Sequence, residues 1–207
     1  MSKDNTNKKF WERVAKVYNM TRDDDAYDVI CESLAPYIDH NKKVLELACG
    51  TGQITFRMAQ KSGSWEATDY SENMVAEAGK RSEGEACAKN VCFCVQDATK
   101  LTYEKEAFDV VVIANALHIM PDPDFAMKEI HRVLKKGGIL FAPTFVYERG
   151  YTKWVIWLME RIGFKTYHRW QKDEFTEYVG ERGFEVIESF LVEEKPLPEC
   201  VLVGRKL

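Results

Sequence analysis

Three polar side chains stand at the ends of successive apolar runs, and a glycine turn ends a fourth. Asp69 follows Ser64 to Thr68, Asp97 follows Val91 to Gln96, and Asn115 follows Phe108 to Ala114. The fourth run, Val44 to Ala48, leads through Cys49 into Gly50-Thr51-Gly52 and then a helical pattern through Ile54, Met58 and Ala59. Carboxylates and an amide oxygen accept hydrogen bonds from hydroxyl and amino groups of a ligand. A glycine turn that opens a helix offers backbone N–H groups and lets a ligand approach where a Cβ would block it. Asp69 lies about twenty residues past the glycines, the interval at which an acid on a second strand reaches a ribose. Each acid alone could be a solvated loop residue. Their repetition at strand ends points to a nucleoside-containing ligand at the carboxyl edge of a parallel sheet. His118, just beyond Asn115, is the candidate for proton transfer near neutral pH, with a hydrogen-bonded loop histidine as the plainer reading.

Two nucleotide classes fail on spacing. A nicotinamide dinucleotide fingerprint needs a third glycine where Thr55 stands, and a Walker loop needs Gly-Lys-Ser/Thr, which is absent. The pieces present are Glu46-x-Ala48-x-Gly50-x-Gly52, Asp69-Tyr70-Ser71, Gln96-Asp97-Ala98, Phe108-Asp109-Val110-Val111 and Leu134-Lys135-Lys136-Gly137-Gly138. In that order, over roughly residues 42 to 142, the chain resembles a class I S-adenosylmethionine-dependent methyltransferase. The resemblance implies S-adenosyl-L-methionine as cofactor. It places Glu46, Ala48, Gly50, Thr51, Gly52, Asp69, Tyr70, Met74, Asp97, Ala98 and Asn115 around it. Asp69 would hold the ribose hydroxyls, Tyr70 would lie on the adenine, and Asp97 would receive the adenine amino group. One departure is Ala48, which stands where the family has its first glycine. Another excludes a subclass: Asn115-Ala116-Leu117-His118 replaces the Asn/Asp-Pro-Pro-aromatic motif of methyltransferases acting on the amino groups of bases or glutamine.

These residues need a scaffold, and the patterning supplies one. The expected fold is α/β, a Rossmann-like doubly wound, mostly parallel seven-stranded sheet with one antiparallel strand near the C-terminus. Helical spacing at Phe10, Trp11, Val14, Ala15 and Val17, and again over 26–39, predicts two N-terminal cap helices within residues 1–41. In the resembling family such a segment covers the cofactor pocket, which would bring Tyr18 to the sulfonium. Ser71 is a helix N-cap, and Gly137-Gly138 is expected to end the helix that starts near Pro121. Residues 147–170 form an insertion, with Tyr151, Trp154, Val155, Leu158 and Ile162 on one helical stripe. It holds three of the five tryptophans and reads either as a lid over an apolar acceptor or as a helix covering the core.

With 207 residues, 45% of them hydrophobic and 30% charged, the chain is expected to be a single domain with a sizeable core. A formal charge of −4 argues against a broad nucleic-acid face. No apolar run reaches membrane-span length and Ser2–Lys9 is not a secretory signal, so a cytoplasmic location with reduced thiols is expected. Cys92 and Cys94 lack the companions of a metal site, and no metal is expected.

The function expected is methyl transfer to a small, partly apolar acceptor by in-line displacement, with His118 and Tyr18 as the catalytic candidates. Oligomeric state is left open. A methyltransferase for arsenic or another thiol-reactive species is an alternative if Cys31, Cys49, Cys87 or Cys200 converge on the methyl group. A non-catalytic S-adenosylmethionine-binding regulator is another.

Overall fold

The computed structural model describes residues 6–15, 24–84, 89–147, 161, 165–193 and 197–207. Its sheet contains β1 (Lys43–Leu47), β2 (Ser64–Asp69), β3 (Val91–Val95), β4 (Phe108–Ile113), β5 (Leu134–Phe141), β6 (Thr144–Phe145), β7 (Phe184–Val192) and β8 (Glu199–Lys206). Among the described residues the longer helices are α1 (Thr6–Val14), α2 (Asp24–Leu34), α3 (Gln53–Met58), α4 (Glu72–Gly84), α5 (Pro123–Val133) and α6 (Lys172–Gly180).

Strands run in the order β3-β2-β1-β4-β5-β8, with β7 on the far side of β8. Pairings from β3 through β5 are parallel, and β8 runs against β5, β6 and β7. Among the described residues the sheet therefore has eight strands where seven were expected. The extra one is a consequence of Pro143, which has no N–H to donate to a ladder. Phe141 pairs with Val203, the Ala142 N–H donates to the Leu202 carbonyl at 2.9 Å, and Thr144 pairs with Cys200, all in one register. β6 is the continuation of β5 beyond the proline.

Alternation on β4 divides the core. Val111 and Ile113 join a cluster with residues of α5 and α6, while Val110 and Val112 join Trp65 and residues of α2 and α3. A strand apolar on both faces can sit only at the middle of a covered sheet. Tyr27, Ile30, Leu34 and Ile38 bury the inward face of the second helical segment as its spacing predicts.

The glycine pair at 137–138 does not end a helix. α5 stops at Val133, and Leu134 is already extended and paired with Phe108. The next pairing is Val110 with Ile139, so residues 135–138 bulge out of the ladder. Gly137 takes φ +72° in that bulge, and a Cβ on Gly138 would stand 2.8 Å from the Lys135 carbonyl and 3.0 Å from that of Asp109. The glycines permit a tight bulge against β4 rather than a helix cap.

Winding reverses between β1 and β4, since β2 and β3 extend one way and β4, β5 and β8 the other. The crevice beyond the carboxyl ends of β1 and β4 is where open α/β sheets take ligands. The glycine turn follows β1 and Asn115 follows β4, so both stand there.

Candidate active site

The turn after β1 winds through three left-handed residues, Ala48 at φ 55°, Gly50 at 56° and Gly52 at 86°. The Cys49 N–H donates to Thr68 on β2 at 2.9 Å and the Gly52 N–H to the Cys49 carbonyl at 2.9 Å. Glycine is required at 52 for a second reason. A Cβ there would lie 2.6 Å from the Phe56 ring, which Arg81 caps at 4.5 Å while donating to the Thr51 carbonyl at 2.9 Å. A bulky residue at 52 thus disturbs the packing of α3 as well as any ligand.

Ala48 is the residue under strain. A non-glycine residue in the left-handed region carries roughly 1–2 kcal/mol, and glycine costs about 0.5–1 kcal/mol more in lost chain entropy. Ala48→Gly should therefore raise stability by up to about 1 kcal/mol, read as a higher urea midpoint at unchanged slope.

Asp69 ties the turn to β2. Its Oδ2 accepts from the Gly50 N–H at 2.9 Å and its Oδ1 from the Ser71 N–H at 2.8 Å. Burial pushes its carboxyl up from the ordinary value, while the backbone N–H groups of Ser71, Gly50 and Tyr70 pull it back. Ser71 caps α4 through its Oγ, which accepts from the Met74 N–H at 3.3 Å, and Met74 is buried beneath. Tyr70 remains 38% exposed with the Lys8 ammonium 4.5 Å from its ring centre.

Glu46 is oriented inward. It is 2% exposed, and its Oε2 accepts from Thr55 Oγ1 at 2.5 Å and from Trp65 Nε1 at 2.8 Å. Burial raises its pKa to about 7; the Thr55 and Trp65 hydrogen bonds oppose that rise and Asp69 adds to it. Thr55, which displaced the third glycine in the sequence comparison, thus serves as a donor to the strand glutamate. Asp97 closes a turn on itself, its Oδ1 accepting from the N–H and hydroxyl of Thr99 at 3.0 and 2.6 Å, with Ala98 packed on the core.

Beyond β4 lies a buried polar wall. Asn115, at φ 52°, donates its N–H to the Pro143 carbonyl at 2.8 Å and its Nδ2 to Glu199 Oε1 at 2.8 Å. His118 is 2% exposed, shares a hydrogen bond of 3.0 Å between Nδ1 and Thr144 Oγ1, and meets Phe145 edge-on. Its carbonyl accepts the N–H groups of Tyr167 and His168, both at 3.0 Å, and the His168 ring stacks on Trp170. Thr144, Glu199 and His168 were not singled out in the sequence. Only the return of β8 beside β5 carries Glu199 to Asn115.

α1 bridges these two halves. Asn7 Nδ2 donates to the carbonyls of Ile119 and Lys165 at 2.8 and 3.0 Å, and its Oδ1 accepts from the Lys165 N–H. Farther along, the Glu12 carbonyl accepts from Asn73 on α4 at 3.0 Å. Tyr18, Trp154 and Trp157 lie outside the described residues.

Cys31 belongs to one core cluster and Cys200 to the other, and burial pushes the Cys31 thiol up to about 12 and Cys49 well above its ordinary value. Such thiols resist ionisation, so a thiol-reactive acceptor has no support; Cys87 lies outside the described residues. Among the described residues no cluster fit for a metal occurs, and no helix is long and apolar enough to cross a membrane.

A left-handed turn after β1 and an acid at the tip of β2 thus meet at the switch-point crevice of a Rossmann-like sheet. The sequence profile of the family described as a methyltransferase domain matches residues 38–180, and the chain belongs to that family. Its cofactor is S-adenosylmethionine. It is 43% identical over 98 residues to a demethylmenaquinone methyltransferase of Lactococcus lactis, covering 46% of this chain and 38% of that protein. It is 31% identical over 160 residues to the ubiquinone/menaquinone biosynthesis C-methyltransferase UbiE of Rhizobium rhizogenes, covering 70% and 62%. The chain thus spans less than two thirds of either relative's length. In fold it is similar to the [4+2]-cyclase SpnF, with a TM-score of 0.73 at 23% identity over 88% of this chain and 80% of that one. It is similar also to magnesium protoporphyrin IX methyltransferase of Synechocystis with bound SAH, at 0.69 and 17% over 89% and 83%.

The residues fit the cofactor. The backbone N–H groups of Gly50, Ser71 and Tyr70 do not fill the roughly four lone-pair positions of the Asp69 carboxylate, which leaves room for a ribose hydroxyl. The exposed Tyr70 ring beside it offers a face for adenine.

Proposed function

We propose that this chain methylates a carbon of a small hydroxylated aromatic acceptor of the quinol class. The observation that carries the reading is the wall beyond β4, where Phe145 meets the buried His118 edge-on and His168, whose N–H reaches the His118 carbonyl, stacks on Trp170. Flat rings with few polar atoms suit a planar, mostly apolar molecule. The names of the two sequence relatives supply the quinol class.

Bound at the glycine turn, S-adenosylmethionine supplies an electrophilic methyl group. Aligning donor and acceptor for in-line displacement contributes roughly 7–11 kcal/mol in well-oriented reactions, so positioning is the main task of the side chains. We assign the ribose to Asp69, the adenine face to Tyr70 and its edge to Asp97, and the amino-acid end to the turn from Ala48 to Gly52. Glu46 supports that turn from beneath. Asn115 and His118 orient the acceptor hydroxyl; His118 holds its proton while the ring carbon is nucleophilic, and the proton that the methyl replaces on that carbon is lost to solvent as the hydroxyl re-forms.

The test is incubation with methyl-deuterated S-adenosylmethionine and chemically reduced demethylmenaquinone. Mass spectrometry should show one labelled methyl on a ring carbon, and much less with His118→Ala. Cofactor binding by calorimetry without any labelled product would refute the acceptor assignment.

A further inference from the structure

At the end of the sheet opposite the glycine turn, a cavity of about 430 Å3 opens between the approach to β4, α5, the start of β5 and the end of β8. Lys105, Lys128, His131, Arg132, Lys136 and Lys206 line it, in a chain whose formal charge is −4. Two of these cations are answered locally. Arg132 pairs with Glu129 at 2.7 Å and donates to the carbonyls of Leu101 and Tyr103. Lys105 faces Glu106 at 3.5 Å, the carboxylate side chain in the wall.

The other three lysines differ. Among the described residues, none of Lys128, Lys136 and Lys206 has a carboxylate within ion-pair distance. Lys128 lies 5.6 Å from the Phe125 ring centre, and Lys136 projects from the β5 bulge into solvent. Lys206 is only 6% exposed, and its Nζ donates to the Leu134 carbonyl at 2.7 Å. An ammonium removed from water with a neutral partner keeps most of its desolvation penalty. Burial accordingly lowers the Lys206 pKa, Glu106 opposes that shift and Lys105 adds to it. His131 reports the same positive field, its pKa lowered by burial and then by Lys206 and Lys105.

We propose that this basal cavity binds a phosphate-bearing anion of about diphosphate size, with Lys206 at its floor and Lys128 and Lys136 at its sides. The volume falls within the range of small-molecule sites, and lysine ammoniums serve phosphate oxygens as point charges. The site stands apart from the glycine turn and does not depend on the identity of the methyl acceptor.

Inorganic pyrophosphate is the first probe, titrated into the whole protein at fixed ionic strength with chloride as control. At a hundredfold excess over Kd the melting temperature should rise by roughly 5–10 °C. In the second arm, flotation compares vesicles of phosphatidylcholine alone with vesicles containing phosphatidylglycerol. The double variant Lys128→Glu, Lys136→Glu changes exposed side chains and should weaken the response at least about tenfold. Lys206→Met should abolish it without lowering the melting temperature of the ligand-free protein. A lysine-dependent pyrophosphate response supports a free anion, and lysine-dependent flotation with phosphatidylglycerol alone supports a lipid headgroup. No response in either arm, or one equal in wild type and double variant, overturns the proposal.

Discussion

Glu46→Gln should raise the melting temperature at pH 8 by roughly 6–12 °C and change it little near pH 4.5. The sign follows from proton linkage. Burial raises the folded-state pKa of Glu46 from 4.5 to about 7, so the folded protein holds a proton that the unfolded chain has already lost between those values. Stability therefore falls as pH climbs from about 4.5 to about 7, by about 3 kcal/mol in all, and stays lower above. Glutamine removes the charge and keeps an oxygen to accept from Thr55 and Trp65. Thermal melts of both proteins from pH 4.5 to 8 give the answer. Parallel curves would mean that Glu46 ionises in the folded protein as readily as in a peptide.

Asp69→Ala should weaken S-adenosylmethionine binding roughly ten- to a hundredfold, since hydrogen bonds to a charged group contribute about 1.5–3 kcal/mol. The structure adds a second effect. The same carboxylate accepts from Gly50 and Ser71, so its removal also unties the turn from β2 and lowers stability by about 1–3 kcal/mol. Calorimetry for the cofactor and a melt for the fold separate the two. A variant that loses stability but binds with wild-type affinity would leave Asp69 a purely structural residue.

Much of this was legible because it is local. The apolar runs behind β1 to β4 and the Ser71 cap depend on neighbouring residues, and these strands fall where patterning places them. What escaped depends on residues distant in sequence. Gly137 and Gly138 look like a helix stop, and only the pull of Phe108 on Leu134 makes them a bulge. Pro143 divides a strand because β8 supplies the ladder it interrupts. Glu199 reaches Asn115 across 84 residues, and Asn7 reaches Lys165 across 158. No periodicity carries such pairings.

The interior place of β8 has a bearing on how the protein is made. Synthesis delivers strands in chain order, and domains begin to fold as they emerge. Everything through β5 can pair with a strand already present, but β6 and β7 arrive next and have no partner until β8 follows. Through that interval the free edge of β5, with Ile139, Leu140 and Phe141, and the whole of β7 stand open to other chains. Any intermediate in which β8 has not docked is then the form most exposed to aggregation and to chaperone capture, and β8 ends that exposure by filling both edges in one step.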